Sequence, residues 1–134
     1  MKHLLPDGWP RPSGYSNGIL AKGPQVFVAG MIGWDEEQTF ADGFVGQFRQ
    51  VLKNTLAVLD KAGAGPQHVV RMTWYITDLE VYRNSLADVG RCYRELFGRN
   101  YPAMAVIGVS ELVEPRALIE IETTAVLPSA NSKT

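Results

Sequence analysis

The chain has 134 residues, 46% of them hydrophobic and 20% charged, and its 13 basic and 14 acidic residues leave a formal net charge of −1. A chain of this length forms one domain and removes roughly two-thirds of its unfolded surface from water, while the near-neutral balance argues against the basic face that nucleic acid requires. A single cysteine, Cys92, excludes an intramolecular disulfide and a zinc-type cysteine cluster.

Residues 1–14 are rich in Pro and Gly and read as an irregular arm. Their apolar run is too short for a signal peptide, and no stretch reaches membrane-spanning length, so a cytoplasmic setting and no membrane contact are expected. Ser16 to Lys22 reads as a short strand. Gln25 to Gly30 is a clearer one, preceded by the Gly23-Pro24 turn signal. Ile32 to Ala41 is a loop, and its Asp35-Glu36-Glu37 run lacks the spacing of a metal-binding loop, so no metal site is expected there. A helix follows from Gly43 to Ala62, with Phe44, Phe48, Leu52, Leu56 and Leu59 forming one apolar stripe, and Gly63-Ala-Gly-Pro66 stops it.

Val69 to Thr77 reads as a strand. Val70, Met72, Trp74 and Ile76 make one apolar face, and Val69, Arg71, Thr73, Tyr75 and Thr77 a mixed one. A second helix spans Leu79 to Phe97, with Thr77-Asp-Leu-Glu80 fitting a capping box and Tyr82, Leu86, Val89, Tyr93 and Leu96 as its stripe. Cys92 lies on this helix as a small, half-buried residue. Strands from Ala103 to Val109 and Ala117 to Leu127 close the domain, and a polar tail follows from Pro128 to Thr134. Neither histidine, His3 or His68, stands beside a second ligand or a nucleophile.

The order β-β-α-β-α-β-β places two amphipathic helices on one face of a sheet. The other face is too apolar to stay wet, which predicts a homo-oligomer whose sheets meet and whose sites form between subunits. On the last strand Glu120 and Glu122 share a face, opposite Ile119, Ile121 and Ala125. Charged groups on so apolar a strand need partners or a wet cleft. Glu120 is the candidate general acid/base or water-orienting carboxylate; Glu122 fits better as a structural anchor.

In order and spacing the chain resembles the Rid/YjgF family, the reactive intermediate deaminases, also labelled endoribonuclease L-PSP. The resemblance runs from Gly14 to Leu127. It rests on Gly14-Tyr-Ser16, Val26-Phe-Val-Ala-Gly30, Gln47 to Gly63 with its Ala-Gly-Ala ending, Val69 to Asp78, Tyr101-Pro-Ala103 and Leu118-Ile-Glu-Ile-Glu122. It implies an α+β, chorismate mutase-like fold: a single mixed sheet with two helices on one face, assembled as a homotrimer whose sheets form a central barrel. Small-molecule clefts would lie between subunits. It also implies hydrolysis of an enamine or imine to a carbonyl compound and ammonia, without metal or organic cofactor.

Carried over by position, the water-orienting glutamate falls on Glu120, the site tyrosine on Tyr15 and the site glycine on Gly30. The arginine that grips the substrate carboxylate is absent: its place is taken by Met104. The family asparagine corresponds to Gly90, and a frequent site cysteine to Val106. These changes imply a more apolar pocket, to which Trp34 either contributes or adds core or interface packing, and a substrate other than 2-aminoacrylate. Arg71 and Arg116 are the two candidate arginine substitutes, each otherwise a surface or structural charge. A non-catalytic ligand-binding or regulatory trimer is the alternative, and a ribonuclease activity, following the older label, the third reading.

Overall fold

A computed structural model describes residues 1–129. The end of the expected tail, 130–134, lies outside the described residues. The elements are β1 (Lys2–Leu4), β2 (Gly18–Leu20), β3 (Gln25–Ile32), α1 (Gly43–Lys61), β4 (Val69–Ile76), α2 (Leu79–Asn84), α3 (Leu86–Phe97), β5 (Ala103–Gly108) and β6 (Ile119–Val126), with a 3-10 turn at Pro66–His68. A mixed four-stranded sheet in the order β3-β6-β4-β5 has β5 parallel to β4 and the other pairs antiparallel.

The α+β class and the mixed sheet agree with the sequence reading, and several local features depart from it. The arm is not irregular throughout, because Lys2–Leu4 pairs with Gly18–Leu20 as a separate two-stranded sheet. The expected single long helix is two segments, with Ser85 at φ −114° and ψ 12° between them; its hydroxyl donates to the Val81 carbonyl at 2.8 Å, competing with helical continuation. The helix cap is Asp78 rather than Thr77: its carboxylate accepts from the backbone N–H groups of Glu80 and Val81.

One core fills the space between the sheet and the helices. From α1 come Phe48, Val51, Leu52 and Leu59, from α3 Val89, Cys92, Tyr93 and Phe97, and from the strands Val28, Met72, Trp74, Ile119 and Ile121. Burial of each large side chain contributes on the order of 1.5–3 kcal/mol. The break at Ser85 changes the helix phase, so Leu86 is exposed while Cys92 and Phe97 turn inward. A bulge at Val70 makes a second change. Val69 pairs with Ala125 and faces the core, while Arg71 pairs with Thr124 on the other face, so Val69 takes the inward place expected of Val70.

The strand that carries the two carboxylates is fixed from the helix side by buried Gln47 of α1. Its amide donates to the Arg116 carbonyl at 3.0 Å and accepts from the Leu118 N–H at 2.8 Å. Asn54, two turns further on, donates to the carbonyls of Ile32 and Trp34 and fixes the end of β3. Gln47→Ala leaves two backbone groups unpaired, and is expected to lower the unfolding free energy by about 1–3 kcal/mol in chemical denaturation. An unchanged midpoint would contradict this clamp.

Candidate functional site

The sheet register sorts the candidate residues onto two faces, because residues directly opposite one another share a face. One row runs Met31, Ile121, Trp74, Val106, and the next Val28, Thr123, Met72, Met104. Both rows face the helices. Between them in the alternation lie Glu122, Thr73 and Ala105, and beyond them Ile32, Glu120, Tyr75 and Ile107, on the open face. Glu120 and Met104 therefore project from opposite sides of the same sheet.

On the open face Glu120 and Gly30 touch. The register of β3 against β6 shifts between Val28 and Met31, which places Gly30 in a bulge beside the carboxylate. A β-carbon built on Gly30 would lie 2.4 Å from Glu120 Oε2, so the carboxylate occupies space that any other residue would fill. The neighbouring Glu122 accepts a hydrogen bond from the Tyr75 hydroxyl at 2.7 Å. That bond, followed by partial desolvation and the nearby negative charges of Glu122 and Glu120, raises the Tyr75 pKa above its ordinary value, while Arg71 opposes the shift. Glu122 is thus engaged as an anchor, and Glu120 has no hydrogen-bond partner among the described residues.

On the helix face lies a cavity of about 500 Å³ lined by Tyr15, Gly90, Met104 and Val106. Four residues singled out from the sequence thus border one space. Tyr15 is brought there by its neighbours: the Ser16 N–H donates to the Pro102 carbonyl at 2.9 Å, and Ser16 bridges to Ala103 at the start of β5. The Gly14-Tyr-Ser16 and Tyr101-Pro-Ala103 segments therefore meet. Trp74, Tyr82, Tyr93 and Tyr101 supply aromatic walls, with Tyr93 and Tyr101 stacked at 5.6 Å. The Tyr93 hydroxyl donates to the Asn100 carbonyl, and burial drives its pKa, like that of Tyr82, upward.

The remaining candidates lie elsewhere. Trp34 packs against Phe40 in the loop after β3, with ring centroids 5.5 Å apart, and does not line the cavity. Arg116 spans Phe40 at 4.8 Å and Glu114 at 3.8 Å. Arg71 stands on the open face and borders a shallower hollow of about 270 Å³ with Tyr15 and Met104. His3 Nδ1 is 2.8 Å from Ser16 Oγ, and His68 Nδ1 accepts from the Gly65 N–H. Cys92 is buried, more fully than expected, and burial raises its thiol pKa. Sequence reasoning missed Arg94, which lines the cavity one helical turn beyond Gly90. The signal was there in the spacing of Leu86, Gly90 and Arg94 on one helix face.

The family model described as endoribonuclease L-PSP matches residues 10–127. A RutC family protein of Pyrococcus horikoshii is 37% identical over 125 residues, covering 91% of this chain and 94% of its own length. A human protein named 2-iminobutanoate/2-iminopropanoate deaminase is 31% identical over 114 residues, covering 84% and 79%. The crystal structure of a Rid family protein of unknown function from Yersinia pestis superposes with a TM-score of 0.82 at 32% identity, covering 94% of this chain and 98% of that one.

Two outcomes follow from this geometry. Gly30→Ala is expected to displace the Glu120 carboxylate while changing the unfolding free energy by less than about 1 kcal/mol, since a mobile side chain end rather than backbone must move. A crystal structure of the variant with Glu120 in place would contradict it. Tyr75, Tyr82 and Tyr93 keep their protons to higher pH when folded than when unfolded. Their contribution to stability is complete below the unfolded value of about pH 10 and lost as the pH rises through the higher folded values. Denaturation midpoints should fall above about pH 10, and less steeply in Tyr93→Phe; an equal fall in both proteins would contradict this.

Proposed function

The chain belongs to the endoribonuclease L-PSP family, which takes in RutC and Rid proteins, and we propose that it hydrolyses an enamine or imine to a carbonyl compound and ammonia in clefts between copies of itself. The observation that carries this reading is the Glu120 carboxylate lodged against Gly30, without a hydrogen-bond partner among the described residues, on the face of the sheet away from the helices. The relative named as a 2-iminobutanoate/2-iminopropanoate deaminase supports the reaction class.

Glu120 holds a water and takes a proton from it as the oxygen adds to the imine carbon. Glu120 returns that proton to the nitrogen, the added hydroxyl gives up its own proton to the nitrogen as the carbonyl forms, the carbon–nitrogen bond breaks, and the carbonyl compound and ammonia leave. An enamine enters the same route after protonation on carbon gives the imine. Tyr15, Met104 and Val106 enclose the organic part of the substrate, and Gly90 leaves room at the helix wall. Met104 in place of the arginine and the aromatic walls make a bulkier, more apolar substrate fit better than 2-aminoacrylate.

Subunit assembly is part of the proposal. The two half-sites lie on opposite faces of one sheet, and a second copy joins the Glu120 half of one chain to the cavity half of another. Exposed apolar groups on the open face and the loop before β6, including Phe27 at 72% and Val113 at 101% exposure, suit such contacts. Following the family resemblance, the assembly is a homotrimer. Sedimentation at micromolar protein should give three times the chain mass; a stable monomer would contradict the assembly.

A second reading, a ligand-binding trimer without catalysis, draws on Met104 in place of the arginine. Imines generated in situ from small and aromatic amino acids separate the two. Catalysis predicts ammonia release above buffer, lowered by about 10²–10⁴-fold in Glu120→Gln. Ligands that raise the melting temperature but are recovered unchanged, with no accelerated ammonia release, would favour the second reading.

A further inference from the structure

The cavity has a cation that the sequence reading did not assign to it. Arg94 follows Gly90 by one turn of α3, and Leu86 precedes it by one, so the three run along the cavity in a single line. A β-carbon built on Gly90 would lie 3.2 Å from Arg94 Nη1, which shows the guanidinium folded back over the glycine. Glycine within a helix is less stable than alanine; here its missing side chain is the space the guanidinium uses. Among the described residues Arg94, like Arg11, Arg71, Arg83 and Arg99, has no carboxylate partner, and it alone of these lines the cavity.

The walls of the cavity bear on what else the ligand carries. Trp74 is buried, lines the cavity, and its indole Nε1–H has no hydrogen-bond partner. An indole nitrogen only donates, and so does a guanidinium. Besides Arg94, the cavity wall is largely aromatic and aliphatic, with Ser13 and the tyrosines as its further polar side chains. Its volume, about 500 Å³, lies in the range of small-molecule sites. The ligand that suits the guanidinium and the aromatic walls has an aromatic or bulky apolar body and an anionic acceptor group.

We propose that Arg94, displaced from the sheet to the helix, holds the carboxylate of an aromatic or bulky apolar 2-imino acid, and that Gly90 makes its position possible. Met104 then serves as apolar wall, and the missing charge of β5 is supplied from across the cavity. This deepens the imine-hydrolysis reading and rests on it for the class of ligand. Arg71 on the open face is the rival, and Arg116 is already engaged with Phe40 and Glu114.

The test is calorimetric binding of phenylpyruvate, the 2-oxo acid an aromatic 2-imino acid would yield, against phenylacetone, which lacks the carboxylate. Phenylpyruvate should bind the wild-type oligomer more tightly than phenylacetone. Arg94→Gln should weaken phenylpyruvate by about ten- to a hundredfold, the loss of one or two charged hydrogen bonds, and leave phenylacetone unchanged. Arg94→Lys should retain part of the affinity, and Gly90→Ala should weaken phenylpyruvate without lowering the melting temperature. Equal phenylpyruvate affinity in wild type and Arg94→Gln overturns the inference, as does undetectable binding to the wild-type protein or a loss confined to Arg71→Gln. Because binding is read rather than turnover, an Arg94-dependent affinity survives if hydrolysis does not occur, and ammonia release that ignores Arg94 leaves hydrolysis standing while this inference falls.

Discussion

The alternation along β6 is the constraint on which the rest of the structure depends. Ile119, Ile121, Thr123 and Ala125 are at most 2% exposed beneath the helices, while Glu120 and Glu122 project from the other face. A slip of one residue would exchange the faces and drive two carboxylates into the apolar core. Because β6 pairs with β3 on one edge and β4 on the other, its register also fixes theirs. Gln47 secures the approach to this strand from the helix layer, so the core and the position of Glu120 are set by the same contacts.

The same alternation divides the chemistry. A sheet has two faces, and the carboxylate stands on one while the aromatic cavity opens on the other. The proposed reaction needs both around one small molecule. Assembly of copies is then a condition of the site rather than an addition to it, and the apolar residues left on the open face fit that role. The glycines act as complementary vacancies in this scheme: at Gly30 the space holds the Glu120 carboxylate, and at Gly90 the Arg94 guanidinium.

Much of this was legible in the sequence because it is local and periodic. The α1 stripe needs no knowledge of its partners, and neither does the period-two pattern that orients Glu120 against Ile119 and Ile121. Of the residues that the family resemblance singled out, Tyr15, Gly90, Met104 and Val106 line one cavity, whereas Glu120 and Gly30 lie on the other face of the sheet. What escaped depends on distant partners or on single hydrogen bonds. Lys2–Leu4 becomes a strand through its pairing with Gly18–Leu20. The Val70 bulge arises from the pairing with β6, and the helix breaks where the Ser85 hydroxyl bonds back to Val81. Arg94 was not singled out, because only the fold brings its guanidinium over Gly90 and to the cavity. Trp34, read either as pocket wall or as packing, packs against Phe40 in the single chain, a contact with a loop partner that periodicity does not reveal.

The central claim is that the Glu120 half and the cavity half of a working site come from different chains. Its most direct measurement is complementation in mixed oligomers, formed by unfolding and refolding Glu120→Ala chains together with Met104→Trp chains, whose added bulk fills the cavity. Each variant alone should release little ammonia from an imine substrate. The mixture should regain activity neither parent has, because some interfaces then join an intact carboxylate to an intact cavity. A mixture no more active than its parents, with mixed oligomers verified by mass, would contradict the claim.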